Sequence, residues 1–266
     1  MTYFAFLLYF LVIPILILSV LTYHDWRRGL RLPSSLSLIP AWWIVGILIG
    51  IALVYTTPWD NYLVATGVWS YDPALVTGIT FGWVPLEEYT FFILQPIMTG
   101  LWLLFLGRRV RPNETFIPQL NIRLASVVVI GIAWLTSIGL FLSGQKPVTY
   151  LSLELMWGLP AIMVQLAFGA DILWHNRRLI APVILSATLY LCFADSLAIQ
   201  DGTWTINPDQ SLNILFGSIL PIEEVIFFLL TNTLVVFGIV LGLTYESSYR
   251  LPSRVMNQLT SSRKGR

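Results

Sequence analysis

Two copies of one short string place four carboxyls in apolar surroundings: Pro85-Leu86-Glu87-Glu88 and Pro221-Ile222-Glu223-Glu224. Each is followed at the same spacing by a phenylalanine pair, Phe91-Phe92 and Phe227-Phe228. An ionisable group inside a hydrocarbon span is costly, rare and usually functional. Neither apolar segment holds a Lys, Arg or His that could neutralise its acids. Four such carboxyls cannot all be ionised together, so the expected state is a cluster that shares protons and titrates as a group. A cluster of this kind holds an acid and a base side by side, which general acid–base catalysis requires. No metal site is expected from it.

The same residues admit a second reading. Pro is favoured at the first position of a helix and Glu in its first turn. Two helices would then begin at Pro85 and Pro221, with the glutamates decorating an interface. Against this, Val84 and Leu220 are poor N-caps. The residues before each proline, 79–84 and 214–220, are also apolar, and the string is copied in both halves. If the prolines lie inside the spans, each removes a backbone hydrogen bond and bends its helix beside the acids. The glutamates then sit roughly 12–15 Å below the start of each apolar segment, at 1.5 Å per residue. Phe91 and Phe92 follow Glu88 on its face of the helix, as Phe227 and Phe228 follow Glu224. Aromatic rings there stabilise a nearby cation by roughly 0.5–2 kcal/mol each; ordinary packing is the alternative for any one of them. Glu154 near the start of a later apolar segment, with Asp60 and Asp195 at the outer mouths, are supporting acids.

Membrane helices must position these residues. The chain of 266 residues is 56% hydrophobic and 11% charged. Seven continuously apolar stretches lie at about 3–22, 37–55, 79–106, 123–142, 150–173, 179–199 and 213–243, each near the ~20 residues that cross a bilayer as helix. They lack the period-2 alternation of a barrel. The predicted class is therefore all-α, a polytopic protein of seven transmembrane helices in the cell membrane. Fourteen of the 15 Lys and Arg fall on one face of that arrangement: Arg27, Arg28, Arg31, Arg108, Arg109, Arg111, Arg123, Arg177, Arg178, Arg250, Arg254, Arg263, Lys264 and Arg266. Lys146 alone is opposite. The positive-inside rule then puts the N-terminus outside and the C-terminus in the cytoplasm. The basic clusters are explained by topology, so no nucleic-acid partner is expected. The first stretch has no basic n-region or small-residue cleavage site and reads as a true span. Cys192, the single cysteine, excludes a disulfide framework.

The halves resemble each other. Asp60 precedes Trp69 by nine residues, and Asp195 precedes Trp204 by nine. Each Trp is followed by a proline four residues on, Pro73 and Pro208. Pro14 and Asp25 are spaced like Pro160 and Asp171. We expect two parallel three-helix repeats, 1–109 and 150–243, joined by a connector (110–149) that contains span 4. A polar tail, 244–266, is expected to be poorly ordered. The outer loops 56–78 and 200–212 carry no Lys or Arg and read as short structured caps. No Gly-rich phosphate loop, HExxH or intramembrane Lys is present, so dinucleotide, zincin and retinal Schiff-base chemistry are excluded.

A repeated Pro-x-Glu-Glu followed by Phe-Phe, with an upstream Asp…Gly-x-Trp-x-x-x-Pro loop, resembles the membrane-integral carotenoid (lycopene) cyclases. Asp60, Gly67, Trp69, Pro73 and Pro85–Glu88 carry the resemblance in the first half; Asp195, Gly202, Trp204, Pro208 and Pro221–Glu224 carry it in the second. With both halves in one chain, it is similar to the fused form of the two-subunit enzymes. One departure is that Pro96 and Asn232 occupy equivalent places. The resemblance implies proton-initiated, cofactor-independent closure of β-ionone rings on a bilayer-dissolved carotenoid, giving β-carotene or monocyclic γ-carotene. It implies Glu87 and Glu223 as the essential pair, with Glu88 and Glu224 tuning them. Other carotenoid-pathway enzymes are candidate partners. Three competitors remain: a carotenoid hydratase, which would admit water to the cation, a proton-coupled transporter, and a non-catalytic membrane subunit or carotenoid-binding protein. The transporter would need a polar path inward, yet 97–106 and 234–241 are apolar apart from Thr99.

Overall fold

Among the described residues seven helices are long and apolar enough to cross a membrane, which makes this a multi-pass membrane protein. They are α1 (Tyr3–Arg27), α2 (Ala41–Ala65), α3 (Leu86–Gly107), α4 (Leu120–Leu142), α5 (Thr149–His175), α6 (Arg177–Gln200) and α7 (Ile222–Leu243). The computed structural model describes residues 1–110 and 115–251. Arg111, Arg254, Arg263, Lys264 and Arg266 lie outside the described residues. Three short antiparallel pairs join the helices: β1 (Trp69–Tyr71) with β4 (Trp204–Ile206), β2 (Thr80–Phe81) with β3 (Val84–Pro85), and β5 (Leu215–Phe216) with β6 (Leu220–Pro221).

These hairpins correct two expectations. Helices α3 and α7 start at Leu86 and Ile222, not at 79 and 213. The apolar residues ahead of each proline form hairpins, and strand and helix cannot be told apart in a short apolar run by hydropathy. Pro85 and Pro221 are therefore the extended residues that precede the helices, and they bend neither one. The glutamates sit in the first helical turn, with no descent along a helix before them. Gly82 opens the two-residue β2–β3 turn with φ +71°, and a Cβ there would strike Asn61 Oδ1. A glycine in the first position of such a turn is the usual solution.

Helices α3, α6 and α7 are about half buried, whereas α1, α2 and α4 bury few of their residues. Ile17, Val20, Ile47, Val54, Val128 and Ile132 are among those exposed, as a lipid-facing surface requires. Prolines inside the outer helices free carbonyls, and other helices take them up. Pro14 leaves Phe10 O to accept Tyr190 Oη at 3.1 Å, and Pro160 leaves Met156 O to accept Trp134 Nε1 at 3.3 Å. At the bundle centre Asn232 Oδ1 accepts Gln95 Nε2 at 2.9 Å and Thr99 Oγ1 at 2.8 Å, pinning α7 to α3.

One end of the bundle pairs its buried acids with arginine. Arg109 forks onto Asp25 with two 2.8 Å bonds, and Arg250 Nη2 reaches Asp171 Oδ2 at 2.6 Å. Arg250 lies in a short helical turn, Tyr245–Arg250, whose Ser247 and Ser248 are buried, so this part of the tail is built into the fold. The rest, 252–266, lies outside the described residues. Removing one partner of a buried pair strands the other charge, at about 3–5 kcal/mol. Asp171 is 2% exposed and Arg250 15%, so Arg250→Met is expected near the lower figure. The check is the melting temperature of detergent-purified protein; an unchanged value would mean the pair holds nothing together.

Candidate active site

At the opposite end, the two halves close over one small chamber. Strands β1 and β4 run across it with Ser70 opposite Thr205. Their side chains Trp69, Tyr71, Trp204 and Ile206 line it from one side. Helices α3 and α7 point their first turns into it, bringing Glu88, Phe91, Glu224, Phe227 and Phe228 to the wall. Tyr3 and Phe6 of α1, Tyr150 of α5 and Asp195 of α6 complete the lining. Nine of these thirteen residues are aromatic and three are acids. The open volume is about 40 Å³, room for about three waters.

Adjacent glutamates divide the work because consecutive helical residues point about 100° apart. Glu88 and Glu224 face the chamber. Glu88 Oε2 accepts Tyr3 Oη at 2.5 Å and Tyr71 Oη at 2.9 Å. Glu224 Oε1 accepts Tyr150 Oη at 2.8 Å. Glu87 and Glu223 turn away and hold the incoming loops: Glu87 Oε1 accepts the Thr77 amide at 2.7 Å, and Glu223 accepts the Leu212 amide at 2.7 Å and Ser211 Oγ at 3.1 Å. Neither Glu87 nor Glu223 is on the chamber wall. The expectation that they form the essential pair therefore has no geometric support; the chamber-facing members are their neighbours.

The supporting acids separate in the same way. Asp195 lies on the wall and accepts Trp204 Nε1 at 2.9 Å. Its counterpart Asp60 is buried, and neither of its oxygens nor Trp69 Nε1 has a hydrogen-bond partner among the described residues. Glu154 is fully buried behind the wall, and among the described residues neither of its oxygens has a partner. Phe91, Phe227 and Phe228 reach the chamber, whereas Phe92 packs against Tyr89 at 5.9 Å. Pro85 and Pro221 are buried where they hand each hairpin to its helix.

Among the described residues, no cation pairs with Asp60, Glu87, Glu88, Glu154, Asp195, Glu223 or Glu224, in contrast to Asp25 and Asp171 at the other end. No group of three or more His, Cys, Asp or Glu is arranged to hold a metal among the described residues. Seven buried carboxyls without a counter-ion cannot all carry charge, so protons are held within this end of the bundle.

Three phenols and two tryptophans are important here and escaped the sequence reading. Tyr3 and Tyr150 are 85 and 74 residues from the glutamates they bond, and no spacing signals such pairs. Tyr71 sits beside the repeated Trp69, but the second half has Ile206 in its place, so the repeat hides it. Trp59 stacks on Trp157 at 4.6 Å and lies parallel to Phe227 at 6.1 Å, forming an aromatic wall behind the chamber. Burial, with the Glu88 and Asp60 carboxyls beside it, holds the Tyr71 phenol well above its ordinary pKa. It stays a hydrogen-bond donor through the neutral range.

A hydrogen bond to a charged group contributes about 1.5–3 kcal/mol. Tyr71→Phe is thus expected to slow turnover about tenfold or more with little change in folding, since the ring is kept and Tyr3 Oη still donates to Glu88. Steady-state turnover beside a melting curve checks this; full activity would remove Tyr71 from the machinery.

Known proteins resemble the chain over about three quarters of its length. The chain is 39% identical over 200 residues to a lycopene beta-cyclase of Halobacterium salinarum, a match covering 74% of this chain and 81% of the relative. It is 34% identical over 209 residues to a bifunctional lycopene cyclase/phytoene synthase of Gibberella fujikuroi, covering 73% of this chain and 33% of that protein. A protein of the same description from Aspergillus oryzae is 35% identical over 211 residues, covering 75% and 34%. No protein-family profile matches the chain, and no solved structure matches it.

Proposed function

Since the chain belongs to the lycopene cyclase family, we propose that it closes β-ionone rings on lycopene by moving protons between Glu224 and Glu88, without a cofactor or redox change. The observation that carries this reading is a pair of buried glutamates in one aromatic chamber, each solvated by phenols and neither opposed by a cation.

Glu224 takes the part of the acid. Tyr150 occupies its Oε1, leaving Oε2 to carry the proton. That proton adds to the terminal alkene of the open end group and leaves a tertiary cation. The neighbouring double bond attacks the cation, forming the ring carbon–carbon bond and moving the positive charge into the ring. Glu88 takes the part of the base. Its Oε2 accepts two phenols, the better environment for a carboxylate. It removes a ring proton, and the electrons of that C–H bond become the ring double bond. Passage of the proton from Glu88 back to Glu224 resets the pair, so atoms and electrons balance as an isomerisation.

Alkene protonation by a carboxylic acid is difficult and demands strong stabilisation of the cation. The Phe91, Phe227 and Phe228 faces supply part of it, at roughly 0.5–2 kcal/mol each. The tight aromatic lining also keeps water from trapping the cation as an alcohol. Glu87 and Glu223 act on this reading by fixing the loops that carry β1 and β4. The chamber end of the bundle faces outward and the arginine-rich end faces the cytoplasm in a cell membrane, following the positive-inside rule. Two parallel three-helix units each contribute one glutamate to the common centre.

The test is to express the chain in cells that accumulate lycopene and to separate the pigments. β-Carotene or γ-carotene is the expected product. Unchanged lycopene, or a hydroxylated acyclic product, would overturn the reading.

A further inference from the structure

The chamber is far too small for a long polyene, so most of the substrate must lie elsewhere. A second cavity of about 300 Å³ lies between α2, α3, α5 and α7. Phe91 and Phe227 line both it and the chamber, so the two spaces meet across these rings. From Phe227 it follows α7 to Val235, a length of about 12 Å at 1.5 Å per residue. Its far side opens outward, where Ile51 is 55% exposed and Val164 70%. Helices α2 and α5 are tied toward the chamber end, where Tyr55 Oη reaches Trp157 O at 2.8 Å and Trp59 Nε1 reaches Leu153 O at 2.9 Å.

Most polar groups in this groove spend their donors on the protein. Tyr55 donates to Trp157 O, Thr231 to Phe227 O at 2.9 Å, Gln95 to Asn232 at 2.9 Å and Gln165 to Leu234 O at 2.9 Å. Trp157 Nε1 is buried without a partner among the described residues, in a ring that lies 6.3 Å from Phe227. What remains for an occupant is mainly hydrocarbon and ring surface, open to the bilayer at one end and to the acids at the other. We propose that this groove is the seat of the substrate's polyene body: a linear unsaturated hydrocarbon enters from the membrane between α2 and α5, lies along α7, and passes its end group between Phe91 and Phe227 into the chamber. This rests on the cyclase reading and adds the binding site to it. A polar lipid does not fit as well, because the wall offers no charged side chain to a headgroup. A third cavity, about 610 Å³ between α1, α3 and α6, shares no lining residue with the chamber and serves as the control.

Ala161 lies midway along the groove and Val164 at its mouth. Each is replaced by Cys and treated in membranes with benzyl methanethiosulfonate; the thiol displaces the sulfinate and carries a benzyl group as a mixed disulfide. Labelled Ala161→Cys should convert lycopene at least tenfold more slowly than the same protein unlabelled, and dithiothreitol should restore the rate, which a misfolded protein would not show. The wild type, whose only thiol is the buried Cys192, and Ile17→Cys in the control cavity between α1, α3 and α6 should be insensitive. Full turnover by Ala161→Cys and Val164→Cys with the label verified by mass would overturn the proposal. So would equal inhibition through Ile17→Cys. Lycopene bound to the Glu224→Gln protein should be lost when Ala161→Cys is added and labelled; retention would assign the groove to a lipid acyl chain instead. If the untreated wild type makes no cyclic product, the cyclase reading fails, separately from the groove.

Discussion

Glu224→Gln is expected to stop ring formation, leaving lycopene as the accumulated pigment, while its neighbour Glu223→Gln remains active. The amide oxygen introduced by Glu224→Gln could still accept from Tyr150, so the fold and phenol contact survive, but an amide has no proton to give an alkene. Loss of a positioned acid or base costs about 10²–10⁴ in rate. Glu88→Gln should fall in the same range through loss of the base. At position 223, a glutamine carbonyl still accepts the Leu212 amide that Glu223 Oε1 holds at 2.7 Å; Glu87→Gln keeps the Thr77 contact in the same way. Those two variants should lose about fivefold or less by conserving the bonded acceptor. Pigment ratios from cells and initial rates in membranes measure the contrast. If Glu87→Gln and Glu223→Gln were the dead pair and Glu88→Gln and Glu224→Gln active, the assignment of roles would be reversed and the chamber would lose its meaning.

The second large effect is expected at Phe227. Its ring lies 5.3 Å from Phe228, parallel to Trp59 at 6.1 Å, and on both the chamber and the groove. Phe227→Leu keeps an apolar side chain and removes the π face. A desolvated cation–π contact contributes about 2 kcal/mol, so the rate should drop about 30-fold. A leucine also fills less of the lining, and water gains access to the cation. Hydroxylated acyclic carotenoid should therefore appear beside the cyclic product. Unchanged rate and product would leave the ring as packing alone, which is the ordinary role of a membrane phenylalanine.

These two sets of variants separate effects that the linear chain merges. In the sequence the four glutamates are alike, two per string, and the strings are copies. The chain order gives no reason to prefer one member of each pair. The resemblance points to Glu87 and Glu223, and the fold turns those two toward backbone amides.

The seven apolar stretches, the asymmetric placement of arginine and the doubled Pro-x-Glu-Glu string were legible because they are local. Hydropathy over about 20 residues is enough to require a helix in lipid, where each backbone group must find its partner within the span. The absence of any Lys, Arg or His from the two segments that hold the glutamates was equally plain from the order of residues. What the amino-acid order could not convey was where α3 and α7 begin, because Ile79–Val84 is apolar whether it is strand or helix. Nor could it reveal Tyr3 and Tyr150 as partners of Glu88 and Glu224, since those contacts join residues 85 and 74 positions apart. Those choices belong to the packed molecule. A helix turns neighbouring side chains to different faces, and only the arrangement of the other helices decides which face meets the chamber.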